Sequence, residues 1–486
     1  RNTCGSCMHR QRRGLRTSGS IIGMWSTSTR RCRASAWAFP AGLLFVVSMS
    51  AVPATGGTST PKAAPPSLER EAMTLYRSAE YSRVLDLFQH PPAGQEPGLG
   101  TIRYAILSYV KMGKPEEAWK LYPKMTAGDR PDDPALLREV ARAFIVARVR
   151  DPQEHIRIAA YTALAEMGES DTLPLLEDGL LDSSALVRAR AAEAIGRSGL
   201  AGRSAALKRA LRDEAPGVRI AAINALSDAK VAGIADQLTE IARVDEGPES
   251  IFAFAGLYKL GRTDVLTDIS SAVTLPDPEV RMAALGVLGR LRRPASLSIL
   301  SQAVYDPHPA VRAFAAGALG EFGSVEGIAP LTHALGDEDP RVRSVAASSL
   351  GRLGVAESRS VVQPLLRDSD EHVRISAVES LLRLGDTGAI LNAAALARHP
   401  DPSIRGDTAH ALALATTSNA LPILENLLRD QQPLPRLMAA RALGKSPLKS
   451  LIPAAKIGLQ DSDAAVRITS AGSLLRILSR TDKASP

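Results

Sequence analysis

Few residues in this chain of 486 have both the type and the spacing for covalent or metal chemistry. Its three cysteines are Cys4, Cys7 and Cys32. Cys4-x-x-Cys7 has the spacing of half a zinc site or of a redox pair, but no second pair and no histidine partner follows at zinc spacing. Beyond residue 54 the histidines are His90, His155, His308, His333, His372, His399 and His410. Only His399 and His410 are near one another, and their separation is no ligand spacing. The chain contains no Gly-x-x-x-x-Gly-Lys-Ser/Thr loop to cradle phosphates, no Gly-x-Gly-x-x-Gly turn and no Gly-x-Ser-x-Gly elbow for a nucleophile. The expectation is therefore no catalytic residue, no cofactor and no metal.

What does recur is a charge column. Arginine stands at Arg157, Arg188, Arg219, Arg281, Arg312, Arg343, Arg374, Arg405, Arg436 and Arg467, at a spacing of 31 residues. The one gap of 62, between Arg219 and Arg281, hides a copy in register at Ser250. Six residues before the arginine stands Asp151, Asp182, Asp213, Asp306, Asp337, Asp368, Asp430 or Asp461. Alanine recurs three residues after it and an aliphatic residue seven after it, from Leu164 to Leu474. Positions −1, +3 and +7 fall on one stripe of a helix. A glycine often closes that helix, as at Gly199, Gly323 and Gly354. A shorter apolar run follows, as in Leu173-Pro174-Leu175-Leu176, so each unit reads as two antiparallel helices. One such pair cannot bury its stripe, whereas stacked pairs can. The spacing predicts an all-α, right-handed α-solenoid of about eleven units over residues 149–486. With layers roughly 8–10 Å apart it would form a superhelix on the order of 100 Å long, its second helices lining the concave face.

The pattern Asp-x-Asp-Pro-x-Val-Arg-x-x-Ala-Ala-x-x-Leu-Gly, most complete from Asp337 to Gly351, resembles HEAT repeats, and within them the short bacterial type of the phycobilisome lyases. The resemblance implies that the Asp caps the turn into the second helix and that the Arg pairs with an Asp of a neighbouring unit. The ladder it implies is Asp151, Arg157, Asp182, Arg188, Asp213, Arg219, Asp306, Arg312, Asp337, Arg343, Asp368, Arg374, Asp430, Arg436, Asp461 and Arg467. A guanidinium fork suits such a role, because it can bond two acceptors at once. Two enzyme classes share the repeat. Deoxyhypusine hydroxylases hold a di-iron centre with His-Glu dipeptides, and this chain has none. Phycobilin lyases attach bilins to client cysteines; an enzyme or enzyme subunit of lyase or hydroxylase type is the alternative to a binding scaffold.

Two regions depart from the repeat. The fourth unit reads Glu249-Ser250-Ile251-Phe252-Ala253-Phe254-Ala255-Gly256-Leu257-Tyr258, with its arginine gone and three aromatics in a chain where aromatics are 4%. Phe252, Phe254 and Tyr258 either fill the space of a broken ladder or anchor a partner on the inner face, since aromatics dominate binding hot spots. Upstream, residues 67–148 read as a few helices. Tyr104-x-x-x-x-Tyr109, Gly113-Lys114-Pro115-Glu116-Glu117-Ala118 and Tyr122 there resemble a tetratricopeptide repeat.

The net charge of +8 belongs to one end. Residues 1–54 hold eight arginines and no Lys, Asp or Glu, then an apolar stretch around Leu43-Leu44-Phe45-Val46-Val47 and a Val-x-Ala end at Ala54. That is the pattern of a secretory signal peptide, Met24 giving one of ordinary length, with an uncleaved membrane anchor as the alternative. A spacer rich in Pro, Thr and Gly follows at 55–66. Taking the eight arginines from 59 basic residues leaves 51 against 51 acidic ones. A neutral remainder argues against nucleic-acid binding, which needs uncompensated positive charge. The expectation is a non-enzymatic scaffold, periplasmic or extracellular, that binds a protein or peptide along the inner face and meets a membrane only through its N-terminal segment.

Overall fold

Local chemistry starts and stops each helix. The computed structural model describes residues 67–167, 170–244, 247–448 and 451–484, and all of its regular structure there is helical. The expected signal segment, the spacer and all three cysteines lie outside the described residues. Residues 65–486 form one body. At its N-terminal side α1 (Leu68–Arg77) and α2 (Tyr81–Gln89) form one hairpin, and α3 (Leu99–Lys111) and α4 (Pro115–Leu121) another. Gly113 makes the second turn with φ +67°, a conformation that suits glycine. Helix α5 (Pro134–Val146) follows; the Asp133 carboxylate caps it, accepting from the N–H groups of Ala135 and Leu136 at 3.0 Å.

Eleven long helices then carry the repeat: α6 (Glu154–Met167), α7 (Ala185–Arg197), α8 (Pro216–Asp228), α9 (Pro248–Lys259), α10 (Pro278–Leu291), α11 (Pro309–Phe322), α12 (Pro340–Leu353), α13 (Glu371–Arg383), α14 (Pro402–Leu412), α15 (Pro433–Lys445) and α16 (Ala464–Ala484). Seven of them start with proline at N1, where its fixed φ suits the helix and its missing N–H costs nothing. Shorter helices such as Leu173–Gly179 and Ile328–Ala334 alternate with them. Gly323 and Gly354 end α11 and α12 in the left-handed region, at φ +80° and +72°. Arg292 adopts the same conformation at the end of α10, with φ 50°, where those units have glycine. Position 250, where the arginine is missing, lies in α9, so the unbroken count of eleven holds.

The expected all-α solenoid forms, but not as an extended superhelix on the order of 100 Å long. Each long helix packs on the next, and the last, α16, packs on α6 and α5, so the array of residues 65–486 closes into a ring. Polar contacts span the closure. Arg138 Nη2 donates to the Leu478 carbonyl at 3.0 Å, Arg476 meets Glu166 at 3.1 Å, and Lys456 meets Asp132 at 2.7 Å. The cause of closure lies in two small positions of the repeat. A Cβ added to Gly196 would lie 2.7 Å from Ala225 Cβ; on Gly320 it would lie 2.6 Å from Ser349 Cβ; on Gly351, 2.6 Å from Ser380 Cα. In each case position +8 of one unit meets position +6 of the next. At the closure small residues also meet, but position +5 faces +6: a Cβ on Gly472 would lie 3.2 Å from Ala163 Cβ. Small residues let neighbouring long helices approach, while the short helices pack on the long ones rather than closely on each other. The long helices therefore lie inside, not the shorter second helices that the repeat pattern predicts for the concave face.

Candidate functional site

The charge column is a ladder of two-pronged ion pairs between units. Arg157 donates from Nε to Asp182 Oδ2 at 2.7 Å and from Nη2 to Oδ1 at 2.9 Å, while its Nη1 turns back to the Asp151 carbonyl at 2.9 Å. The same fork joins Arg188 to Asp213, Arg281 to Asp306, Arg312 to Asp337, Arg343 to Asp368, Arg405 to Asp430 and Arg436 to Asp461. Each Asp also caps its own turn: Asp182 Oδ1 accepts from the Ser184 N–H at 2.8 Å. One carboxylate thus ties two units together. The hydrogen bond from Arg312 holds the Asp337 carboxyl below the usual carboxylate range, and Arg343 does the same for Asp368.

Several ladder residues have other partners. Arg219 bonds Glu249, from Nε to Oε1 at 2.6 Å, because Val244 stands where the Asp would be. Ser250 and Leu275 lose the next Arg and its Asp together. Arg374 meets His399 at its Asp position and turns to Glu371 of its own helix at 2.8 Å. His399 Nδ1 keeps the capping role, accepting from the Asp401 N–H at 3.1 Å. Asp151 bonds the Gln153 N–H at 3.0 Å and Arg148 at 3.4 Å, not an arginine of the repeat. Arg467, at the other end, meets Glu116 of α4 at 3.3 Å. The sequence offered one clue to Glu249, an acid beside Ser250 in a unit without its Asp. Nothing in it pointed to Glu116.

The face of the long helices opposite their buried stripe forms the inner wall, centred on positions +1, +5 and +9. Between α7 and α8 it holds an open groove of about 370 Å³ lined by Glu193, Arg197, Ile220, Asn224 and Asp228. At +5 the wall is smooth through Ala255, Gly286, Gly317 and Ser348, then bulky and titratable at Glu379, His410 and Arg441. Burial pushes the His410 imidazole down, and so do Lys445 and Arg441, against the pull of Glu379 and Asp407. Burial and then Arg441 likewise push the Lys445 amine down. The three aromatics of the fourth unit are not bare anchors. Arg290 lies 5.6 Å over the Phe252 ring, Arg293 lies 5.2 Å over Tyr258, and Phe254 packs partly buried against the core. The exposed aromatic of the wall is Phe314, at 50%. Among the described residues no group of three or more His, Cys, Asp or Glu is placed to hold a metal ion, and no helix is long and apolar enough to cross a membrane.

Comparison with protein families matches HEAT repeats at residues 134–196, 267–350, 298–381, 328–413 and 361–437. This is a HEAT-repeat protein. The match begins at α5, inside the stretch assigned from sequence to the upstream helices. No curated protein matches the chain. Among solved structures, human deoxyhypusine hydroxylase in complex with glycerol aligns at 17% identity and TM-score 0.30, covering 52% of this chain and 98% of that one. The complex of CpcE and CpcF of phycocyanin lyase from Nostoc sp. PCC7120 aligns at 19% identity and TM-score 0.31, covering 55% and 96%. Kap121p bound to Nup53p aligns at 12% identity and TM-score 0.33, covering 87% and 55%.

Proposed function

We propose that the HEAT ring is a non-enzymatic scaffold that holds a protein or peptide segment against its inner wall. One observation carries this reading. Arg352, Arg441 and Lys445 lie on or at the rim of that wall without an ion-pair partner among the described residues, Arg290 and Arg293 lie over aromatic rings there, and Phe314 on the same wall is half-exposed. Cations on a helical last turn are partly accounted for by the helix dipole. The exposed ring is not, and aromatics beside arginines are what binding hot spots favour. The opening suits a segment rather than a domain. Eleven helices about 9 Å apart make a circle about 30 Å across between axes, and the helices themselves leave about 20 Å free. That admits one helix or an extended strand; a folded domain of about 100 residues is wider.

A photo-crosslinker placed at Phe314 in the intact protein should capture one recurring partner in its native compartment. The same group at Leu391, exposed on a short helix, should not. Equal capture from both positions would refute the inner-wall reading. The same proposal places the scaffold outside the cytoplasm, on the pattern of residues 1–54. Fractionation, with N-terminal sequencing of the exported form expected to begin at Thr55, tests that part by itself.

A further inference from the structure

We propose that the seam of the ring contains a carboxylate-binding site built on Arg467. In the seven regular rungs the arginine Nε and Nη2 grip the two oxygens of the next unit's Asp, and Nη1 bonds carbonyls of its own turn. Arg467 keeps the second half of that arrangement: Nη1 donates to the Asp461 and Ser462 carbonyls at 2.7 and 2.9 Å. These bonds hold its guanidinium as in the other rungs. No next unit supplies an Asp. Nη2 reaches only Glu116, at 3.3 Å, and Nε makes no hydrogen bond among the described residues. In front of it lies a cleft of about 470 Å³ between the last unit and the upstream helices, lined by Glu116, Trp119, Pro123, Leu459, Asp461 and Arg467.

Neither acid of the cleft fills this fork: Glu116 meets only Nη2, at 3.3 Å, and Asp461 meets neither Nε nor Nη2. Asp461 is gripped by Arg436 at 2.7 and 2.9 Å. Glu116 accepts from Arg148 at 2.6 Å. Burial opposes its ionisation, but the Arg148 hydrogen bond and the charges of Arg148 and Arg467 together hold it below the usual carboxylate range. The ligand chemistry follows from the lining. A carboxylate would sit on Nε and Nη2 as the Asp does elsewhere, and an adjoining apolar group would lie against Trp119, Pro123 and Leu459. The carboxylate can belong to a chain terminus or to an Asp or Glu side chain beside an apolar residue. The site does not depend on what occupies the inner wall, so either proposal can fail alone.

Trp119 reports on the cleft. In the full chain carrying Trp25→Phe and Trp37→Phe, tryptophan emission comes from Trp119 alone. N-acetyl-phenylalanine probes a terminal carboxylate, N-acetyl-glutamyl-phenylalaninamide a side-chain one, and N-acetyl-phenylalaninamide carries none. At least one acid should shift the emission saturably, at least tenfold more tightly than the uncharged amide. Arg467→Gln should bring that acid to the level of the amide, and Arg312→Gln, in a regular rung away from the cleft, should leave the ratio unchanged. Binding of both acids no tighter than the amide, or an acid preference that survives Arg467→Gln, overturns the site. If Arg467→Gln loses its helical circular dichroism, the acid-to-amide ratio on the chain with native Arg467 decides.

Discussion

Closure of the ring can be trapped with one covalent bond. Gly472 and Ala163 face each other across the closing interface, and a Cβ on the glycine would lie 3.2 Å from Ala163 Cβ. Disulfides span about 3.5–4.5 Å between Cβ atoms, so Ala163→Cys with Gly472→Cys needs the helices to part by a few tenths of an ångström. The native Cys4, Cys7 and Cys32 are replaced by serine, leaving one possible intramolecular pair. The bond would close a loop of about 310 residues, for which the chain-entropy relation gives about 6 kcal/mol at 25 °C. Engineered bridges deliver less than this, so at least about 2 kcal/mol is expected. Mass spectrometry of an unreduced digest should find residues 163 and 472 linked within one molecule. Urea unfolding with and without reductant gives the free energy. Free thiols after mild oxidation, or links only between molecules, would refute closure. An open array of ten steps about 9 Å each would hold the two sites about 90 Å apart.

Four further outcomes follow from the same geometry. Arg292→Gly should stabilise the protein by about 0.5–1 kcal/mol in urea unfolding, since a left-handed residue with a Cβ costs about 1–2 kcal/mol and glycine returns part of that as chain entropy. Asp337→Asn should destabilise by about 2 kcal/mol, because it weakens a charged fork whose two side chains are each only 11% exposed. The pH dependence has a definite sign. The Asp337 and Asp368 carboxyls lie below the ordinary value when folded, so their stabilisation is present above about pH 4 and is lost as pH falls through the folded values. Melts between pH 2 and 6 should therefore lose stability on the acid side, and Asp337→Asn should lose less. Gly320→Val should cost about 1–3 kcal/mol, as its branched side chain meets Ser349 across the inner contact.

The helices, their count and seven rungs of the ladder were legible because each depends on residues within one repeat or two adjacent ones. Arg343 and Asp368 are twenty-five positions apart and recur in register, so periodicity alone pairs them. The ring was not legible. Closure depends on the angle of each step, and that angle is set by how nearly Gly320 lets α11 approach Ser349 of α12, summed around the array. The glycines at +8 were in plain view, but the sequence shows their size and not the rotation they permit. The partner of Arg467 is further still from any local pattern, since Glu116 lies 351 residues away. The aromatic cluster of the fourth unit was visible as an anomaly; the cations over Phe252 and Tyr258 come from the next unit and carried no mark of that role.

A closed ring also restricts how this gene can change. Repeats are gained and lost by unequal recombination, and an open solenoid absorbs a further unit at either end because each unit contacts only its neighbours. Eleven steps that close turn about 33° each, whereas twelve would have to turn about 30° each. A duplicated unit would therefore either part α16 from α6 or demand a small change at every inner contact at once. Copy number, a loose variable in most arrays of this kind, is here a geometric constant, and insertions are expected only in the turns and not as whole units.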